Sequence, residues 1–404
     1  MRAEVLLDED LAGGARFRAL AAGEHAERPS HRDQARTRRK GAGVPRARQR
    51  DLPLIVESLH AAIAGAGLAG RLAAWRLLRR GWRVSLFDSL SRDDTRSASM
   101  TAAAMLAPLA EIAVADAVVF EQAQRSMALW PEWLAQLRDD SGEAVYHRRD
   151  GTIVVAHAPD RATLDQFKRV LHHKLPAEHR SRVQSLDGSA LAQLEPALAG
   201  RFDGGLWLEG EGQLANDELM HALALAIDRL GGHWHECCAV DALDARGLHS
   251  AQGRCDADLV IDARGVGAKR DWPALRGVRG EVITVECNGV VLQRPVRLMH
   301  PRYQLYIAPR PQQRFVVGAT ELESEDDGPI TLRSMLELGS ALYSLHPAFG
   351  EARVVRTAAA LRPTLDDHRP ALVNADGVWR LNGLYRHGFL CAPALVEQLM
   401  GQSR

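Results

Sequence analysis

The stretch His60–Ser89, HAAIAGAGLAGRLAAWRLLRRGWRVSLFDS, decides the fold. Ala61–Ala64 is a short apolar run that predicts a strand, and it ends in Gly65-Ala66-Gly67-Leu68-Ala69-Gly70, the spacing GxGxxG. Gly65 permits a tight turn, Gly67 lets the backbone approach a pyrophosphate, and Gly70 lets the following helix pack on the strand. Leu68, Leu72, Trp75 and Leu78 recur at helical spacing, and Gly81 is placed to end that helix. The unpaired amides and dipole at the helix start favour phosphate charge. Arg83–Phe87 reads as a second strand closing at Asp88, an acid positioned to accept hydrogen bonds from adenosine ribose hydroxyls. A carboxylate there would repel a 2′-phosphate, which argues against NADP. The fingerprint by itself leaves NAD and FAD open.

Composition narrows the class. The 404 residues are 46% hydrophobic and 25% charged, which is ordinary for a soluble globular chain. The formal net charge is zero, so no whole-chain field recruits nucleic acid or an anionic membrane. Five Cys without a CxxC or Cys/His spacing predict neither a disulfide framework nor a metal site. Reduced thiols point to the cytoplasm. No apolar run is long enough to span a bilayer. Residues 1–57 stand apart: the first fifty hold eleven Arg and one Lys against seven acids, with almost no periodic apolar pattern after Leu20. Such a segment buries too little apolar surface to offset ordering entropy and reads as a disordered tail or an upstream start.

Beyond Asp88 the order is mixed. Helices are predicted over Ala117–Leu137, Arg161–Leu175, Asn216–Leu230 (with Asn216 as N-cap), Thr331–Leu345 and Ala392–Met400. Strands are predicted at Gly151–Ala156, Asp258–Ala263, Glu281–Glu286 and Val378–Asn382, with a hairpin of Gln304–Pro309 and Arg314–Ala319. Nucleotide-type βα units interrupted by antiparallel segments imply an α/β protein whose nucleotide and substrate domains are interleaved along the chain.

The segments AAIAGAGLAG, SMTAAAMLAPLAE, DLVIDARGVGA, LRGVRGEVITVE, RPVRLMHPRYQLYIAPR, RFVVGATELESED, LRPTLDDHRPALV and NGLYRHGFLCAPALVEQL follow one another in this order. Together they resemble the FAD-dependent D-amino-acid oxidase superfamily, and within it the glycine oxidases of thiamine biosynthesis. The resemblance implies FAD as the nucleotide. It implies a discontinuous Rossmann-type FAD-binding domain over 58–140, 185–270 and 355–404. A mixed, largely antiparallel α+β substrate domain would then cover 141–184 and 271–354.

Carried onto this chain, the resemblance assigns Arg362 as the clamp for a substrate carboxylate, a role that suits a guanidinium fork. Tyr306 would donate to the same carboxylate. Arg386 would order its own motif or contact substrate, while no catalytic role is assigned to His387. Beside Gly65, Gly67, Leu68, Gly70 and Asp88, the implied FAD contacts are Thr101, Ala102, Met105, Val240 and Gly265. Gly388, Phe389 and Leu390 would present a helix N-terminus to the flavin, with Pro393 in the first turn. Many relatives carry Gly where this chain has Ala104, which bears on substrate range.

The implied reaction is oxidative deamination of glycine or another small amino acid by hydride transfer to flavin N5, with O2 reduced to H2O2. Its imine product would feed thiazole assembly. Alternatives are a D-amino-acid dehydrogenase passing electrons to a quinone, or a flavin subunit active only with a partner. Thiazole-synthesis proteins and a second copy of the chain are the protein partners this reading allows.

Overall fold

The computed structural model describes residues 58–300 and 304–402; the N-terminal segment singled out above lies outside the described residues. The strand His60–Ala64 sits inside a six-stranded sheet ordered 371–375, 378–382, 259–262, 60–64, 83–87, 233–235. All neighbours are parallel except the first pair. A parallel strand covered on both faces should be apolar throughout, and Ala61, Ala62, Ile63 and Ala64 are all fully buried.

The helix Leu68–Leu78 follows as expected, burying Leu68, Leu72 and Trp75, and Gly81 adopts the left-handed conformation at φ +80°. It packs against the helices Asn216–Arg229 and Gly388–Gln402. Apolar periodicity did not disclose Arg71, which is buried on this helix. Its guanidinium donates to the carbonyls of Ala66, Met220 and Arg92 at 2.8, 2.8 and 2.6 Å, tying the glycine turn to a second helix.

A second sheet of eight strands is ordered 353–364, 276–286, 314–318, 304–310, 296–299, 152–156, 204–208, 183–187. It is antiparallel apart from the pairing of 296–299 with 152–156. The expected hairpin is present, with Tyr306 paired to Gly318. Arg276–Glu286 pairs along its whole length with Arg353–Thr364, setting Arg362 opposite Val278. Gly204–Leu208 lies within the range read as nucleotide-binding, yet it pairs in this larger sheet. Residues 58–402 cluster as one compact unit.

Two local expectations change. Asn216 is the first helical residue rather than the cap, and its amide donates to the carbonyls of Ser99 and Met100, both at 3.0 Å. The last helix starts at Gly388, four residues before the predicted start, so Pro393 is interior. Proline cannot donate to the carbonyl one turn back. Here the Trp130 indole takes that Phe389 carbonyl at 3.0 Å, and Ser126 Oγ accepts from Ala394 N at 3.1 Å. Foreign donors and acceptors let the helix run on through the gap. All five thiols are free, and among the described residues no helix is long and apolar enough to cross a membrane.

Candidate active site

Two of the turn's glycines have no room for a side chain. Gly65 sits at φ +98°, and a Cβ there would meet the Ala263 carbonyl oxygen at 2.4 Å; one on Gly70 would lie 1.8 Å from the Gly65 oxygen. The turn therefore leaves open backbone at the mouth of the helix. Asp88 closes it from the next strand, one carboxylate oxygen accepting from Ala66 N at 2.5 Å and the other from Leu90 N at 2.8 Å. Ser99, which sequence reasoning missed, accepts from Leu68 N at 2.9 Å. Nothing in its local pattern marks it; the fold alone brings the loop across the helix start.

From this turn a continuous cavity of about 1460 Å³ runs beneath the eight-stranded sheet. Its wall brings together nearly every residue named from the sequence: Gly65, Gly67, Leu68, Asp88, Thr101, Ala102, Met105 and Gly265, together with Tyr306, Arg362, Arg386, Gly388, Phe389 and Leu390. Gly70 acts from behind, through its contact with Gly65. Val240 stands outside the wall, and its carbonyl accepts from Arg264 Nη1 at 3.2 Å. Gly265 turns at φ +58° and its carbonyl accepts from Asn382 at 2.9 Å. Ala104 is held left-handed at φ 48° although it is not glycine. The wall beside it is clamped by Arg310, which donates to the Ala103 carbonyl at 2.7 Å and to Gln213.

The residues fit a flavin dinucleotide on three counts. Gly65 and Gly70 exclude a Cβ, which keeps the turn tight against the helix start. Thr101 Oγ1 is buried on the cavity wall with no protein partner. Beside Leu68, Gly388 and Phe389 open a second helix, whose first amides have no intrahelical acceptor.

Against the start of that helix lies a cluster of charge. Arg362 is partly buried, and among the described residues it donates to carbonyl oxygens alone, Thr320 at 2.8 Å and Arg279 at 3.3 Å. Burial and the neighbouring Arg386 charge both work against its protonated form. Among the described residues no carboxylate pairs with it, so its remaining donors and its charge are available to the cavity. Arg386 is in the opposite state. Its Nε lies 3.0 Å from Glu111 Oε2 and its Nη2 3.1 Å from Glu111 Oε1, while Nη1 reaches Glu321 at 3.0 Å.

The Tyr306 hydroxyl donates to Glu111 Oε1 at 2.7 Å, so in this structure its proton serves a protein carboxylate, where the sequence had predicted a substrate one. Glu111 is the site residue that sequence reasoning passed over, although it ends the otherwise apolar run AAAMLAPLAE. It closes the short helix Pro108–Glu111, anchored where Ala110 N donates to Glu211 at 2.7 Å. Burial alone would raise its pKa, but Arg386, His387, Arg297 and the Tyr306 hydroxyl hold it down to about 2. His387 lines the same cavity, Nδ1 3.6 Å from Glu111 Oε2, and burial pushes its pKa down to about 4. Glu211, behind the wall, is pushed up to about 7 by burial.

A dinucleotide turn shares one cavity with a partly buried guanidinium that pairs with no carboxylate among the described residues, an arrangement suited to a dinucleotide cofactor and a small anion. The family model for FAD dependent oxidoreductases matches residues 60–399, and the chain belongs to that family. It is 41% identical over 341 residues to the thiamine biosynthesis oxidoreductase ThiO of Rhizobium etli, covering 83% of this chain and 94% of that protein. Glycine oxidase of Geobacillus kaustophilus is 28% identical over 344 residues, covering 82% and 89%. The solved glycine oxidase structure from Geobacillus kaustophilus superposes with a TM-score of 0.75 at 25% identity, covering 86% of this chain and 95% of that one. The protein is an FAD-dependent amino-acid oxidase of the glycine oxidase and ThiO type, with FAD as its cofactor.

Proposed function

We propose that the protein oxidises glycine, or another amino acid with a small side chain, at the Cα–N bond, and that the imine serves thiazole synthesis. The observation that carries this reading is Arg362: a partly buried guanidinium on the cavity wall that, among the described residues, is bonded to carbonyl oxygens alone. Leaving a buried cation without a counter-ion is costly unless a ligand brings one. A bidentate carboxylate is the matching anion. The thiazole role rests on the kinship with ThiO of Rhizobium etli.

The Gly65–Gly70 turn, Asp88, Thr101 and the Gly388–Leu390 helix start would hold FAD, which when bound supplies the hydride acceptor and passes the electron pair to O2. The chain's own work is placement. Arg362 fixes the carboxylate and hence the direction of the Cα–H bond. Met105 and Tyr306 bound the space beside it, and the wall at Ala103–Met105 is braced by Arg310. His387, held neutral by burial, adds no charge to the amine side of the pocket.

Anaerobic mixing of the yellow holoprotein with glycine should bleach the flavin, and in air should yield one peroxide per glycine consumed. Arg362→Ala should need about tenfold or more glycine for the same rate, the worth of a charged hydrogen bond. Holoprotein that bleaches with neither glycine, sarcosine nor D-alanine would overturn the reading, and bleaching without peroxide would mark a dehydrogenase.

A further inference from the structure

We infer that Glu111 sets the charge of the substrate this pocket accepts, admitting one carboxylate and refusing a second. The inference rests on the reading of Arg362 as the carboxylate clamp. Two partly buried guanidinium groups, Arg362 and Arg386, share the cavity wall, and the Arg386 charge works against that of Arg362. A pocket with two unpaired cations would favour a doubly anionic ligand. Here one of them is cancelled from within the protein. Glu111 takes Arg386 through two contacts, 3.0 Å to Nε and 3.1 Å to Nη2, and Glu321 takes Nη1 at 3.0 Å. The same Glu111 carboxylate also accepts the Tyr306 proton at 2.7 Å. Arg386 and Tyr306, two donors on the same cavity wall as Arg362, are thereby both engaged by Glu111.

The consequence is a division of labour. A single substrate carboxylate satisfies Arg362. A second one would meet the Glu111–Arg386 pair, where it must either lie against a buried carboxylate or displace it, and like charges in a low-dielectric pocket repel strongly. Glu111 is a positioning and charge-selecting residue; it acts on specificity through Arg386 and Tyr306 and takes no part in bond breaking. Its shape is conserved in Glu111→Gln while its charge is lost, leaving Arg386 with one exposed partner, Glu321, in place of two.

The test compares a monoanionic and a dianionic ligand of similar size, glycolate and malonate, by calorimetry on the holoprotein, alongside turnover of glycine and iminodiacetate. Glu111→Gln should tighten malonate and lower the KM for iminodiacetate by about tenfold, the lower end for a freed charged hydrogen bond, while glycolate changes less than about threefold. Glu321→Gln, on the exposed side of Arg386, should shift malonate the same way by a smaller factor and serves if Glu111→Gln does not fold. An equal change for both ligands in these variants, or none, would overturn the inference. Wild-type holoprotein that binds neither glycolate nor malonate and oxidises no amine would instead strike the oxidase reading itself.

Discussion

The Arg362 guanidinium rests against Gly280: a Cβ on residue 280 would come within 2.3 Å of Arg362 Cζ. The two residues belong to neighbouring strands, Arg276–Glu286 and Arg353–Thr364. The obstructed atoms are the far end of a flexible side chain, so adding a methyl group should move the guanidinium and spare the sheet. Gly280→Ala should therefore keep its FAD and its melting temperature and lose about tenfold or more in kcat/KM for glycine. Equal activity in the variant would show that the position of Arg362 is not limiting.

Gly70→Ala should behave differently. There the added Cβ meets backbone, 1.8 Å from the Gly65 carbonyl oxygen, and neither partner can swing away. The helix would have to lift from the strand, at about 1–3 kcal/mol for an overpacked site. The purified variant should carry substoichiometric flavin, read from its visible absorbance, and melt at a lower temperature than wild type.

Trp130→Phe removes the donor that satisfies the Phe389 carbonyl beside Pro393. A buried carbonyl left unmatched costs about 1–3 kcal/mol. Urea unfolding should show that loss. Because Phe389 lies on the cavity wall, FAD affinity should fall with it.

His387 links stability to pH. Its ordinary pKa of 6.5 falls to about 4 in the fold through burial. The unfolded chain therefore binds more protons between those values, and the stability contribution, complete above pH 6.5, is lost as pH falls toward 4. Glu111 acts with the same sign lower down, from 4.5 to about 2. Melting temperature should drop from pH 7 to pH 5, and His387→Gln should flatten that slope. An unchanged slope would remove His387 as its source.

Much of the site was readable in one dimension because its signals are local. Gly65, Gly67, Gly70 and Asp88 lie in one βαβ unit, where spacing along the chain dictates distance in space. Gly388–Leu390 and Arg362 were reached only through a resemblance, since no local pattern says that a strand end and a terminal helix meet at one cavity. Glu111 escaped notice because a single acid after apolar residues reads as a surface position. Its burial is stabilised by Arg386, 275 residues further on, and by Tyr306 from the eight-stranded sheet. Asn216 was misplaced for a related reason: a side chain able to cap its own helix spends its donors on Ser99 and Met100.

By itself, then, the amino-acid order determined a dinucleotide-binding α/β protein with a basic segment ahead of it, because glycine conformations and apolar periodicity act over a few residues. Tertiary structure alone decided which cation stays open. Arg362 and Arg386 are the same residue type. One is matched by carboxylates from distant segments and the other, among the described residues, by carbonyl oxygens alone, and such pairing is settled by which distant segments the fold brings together.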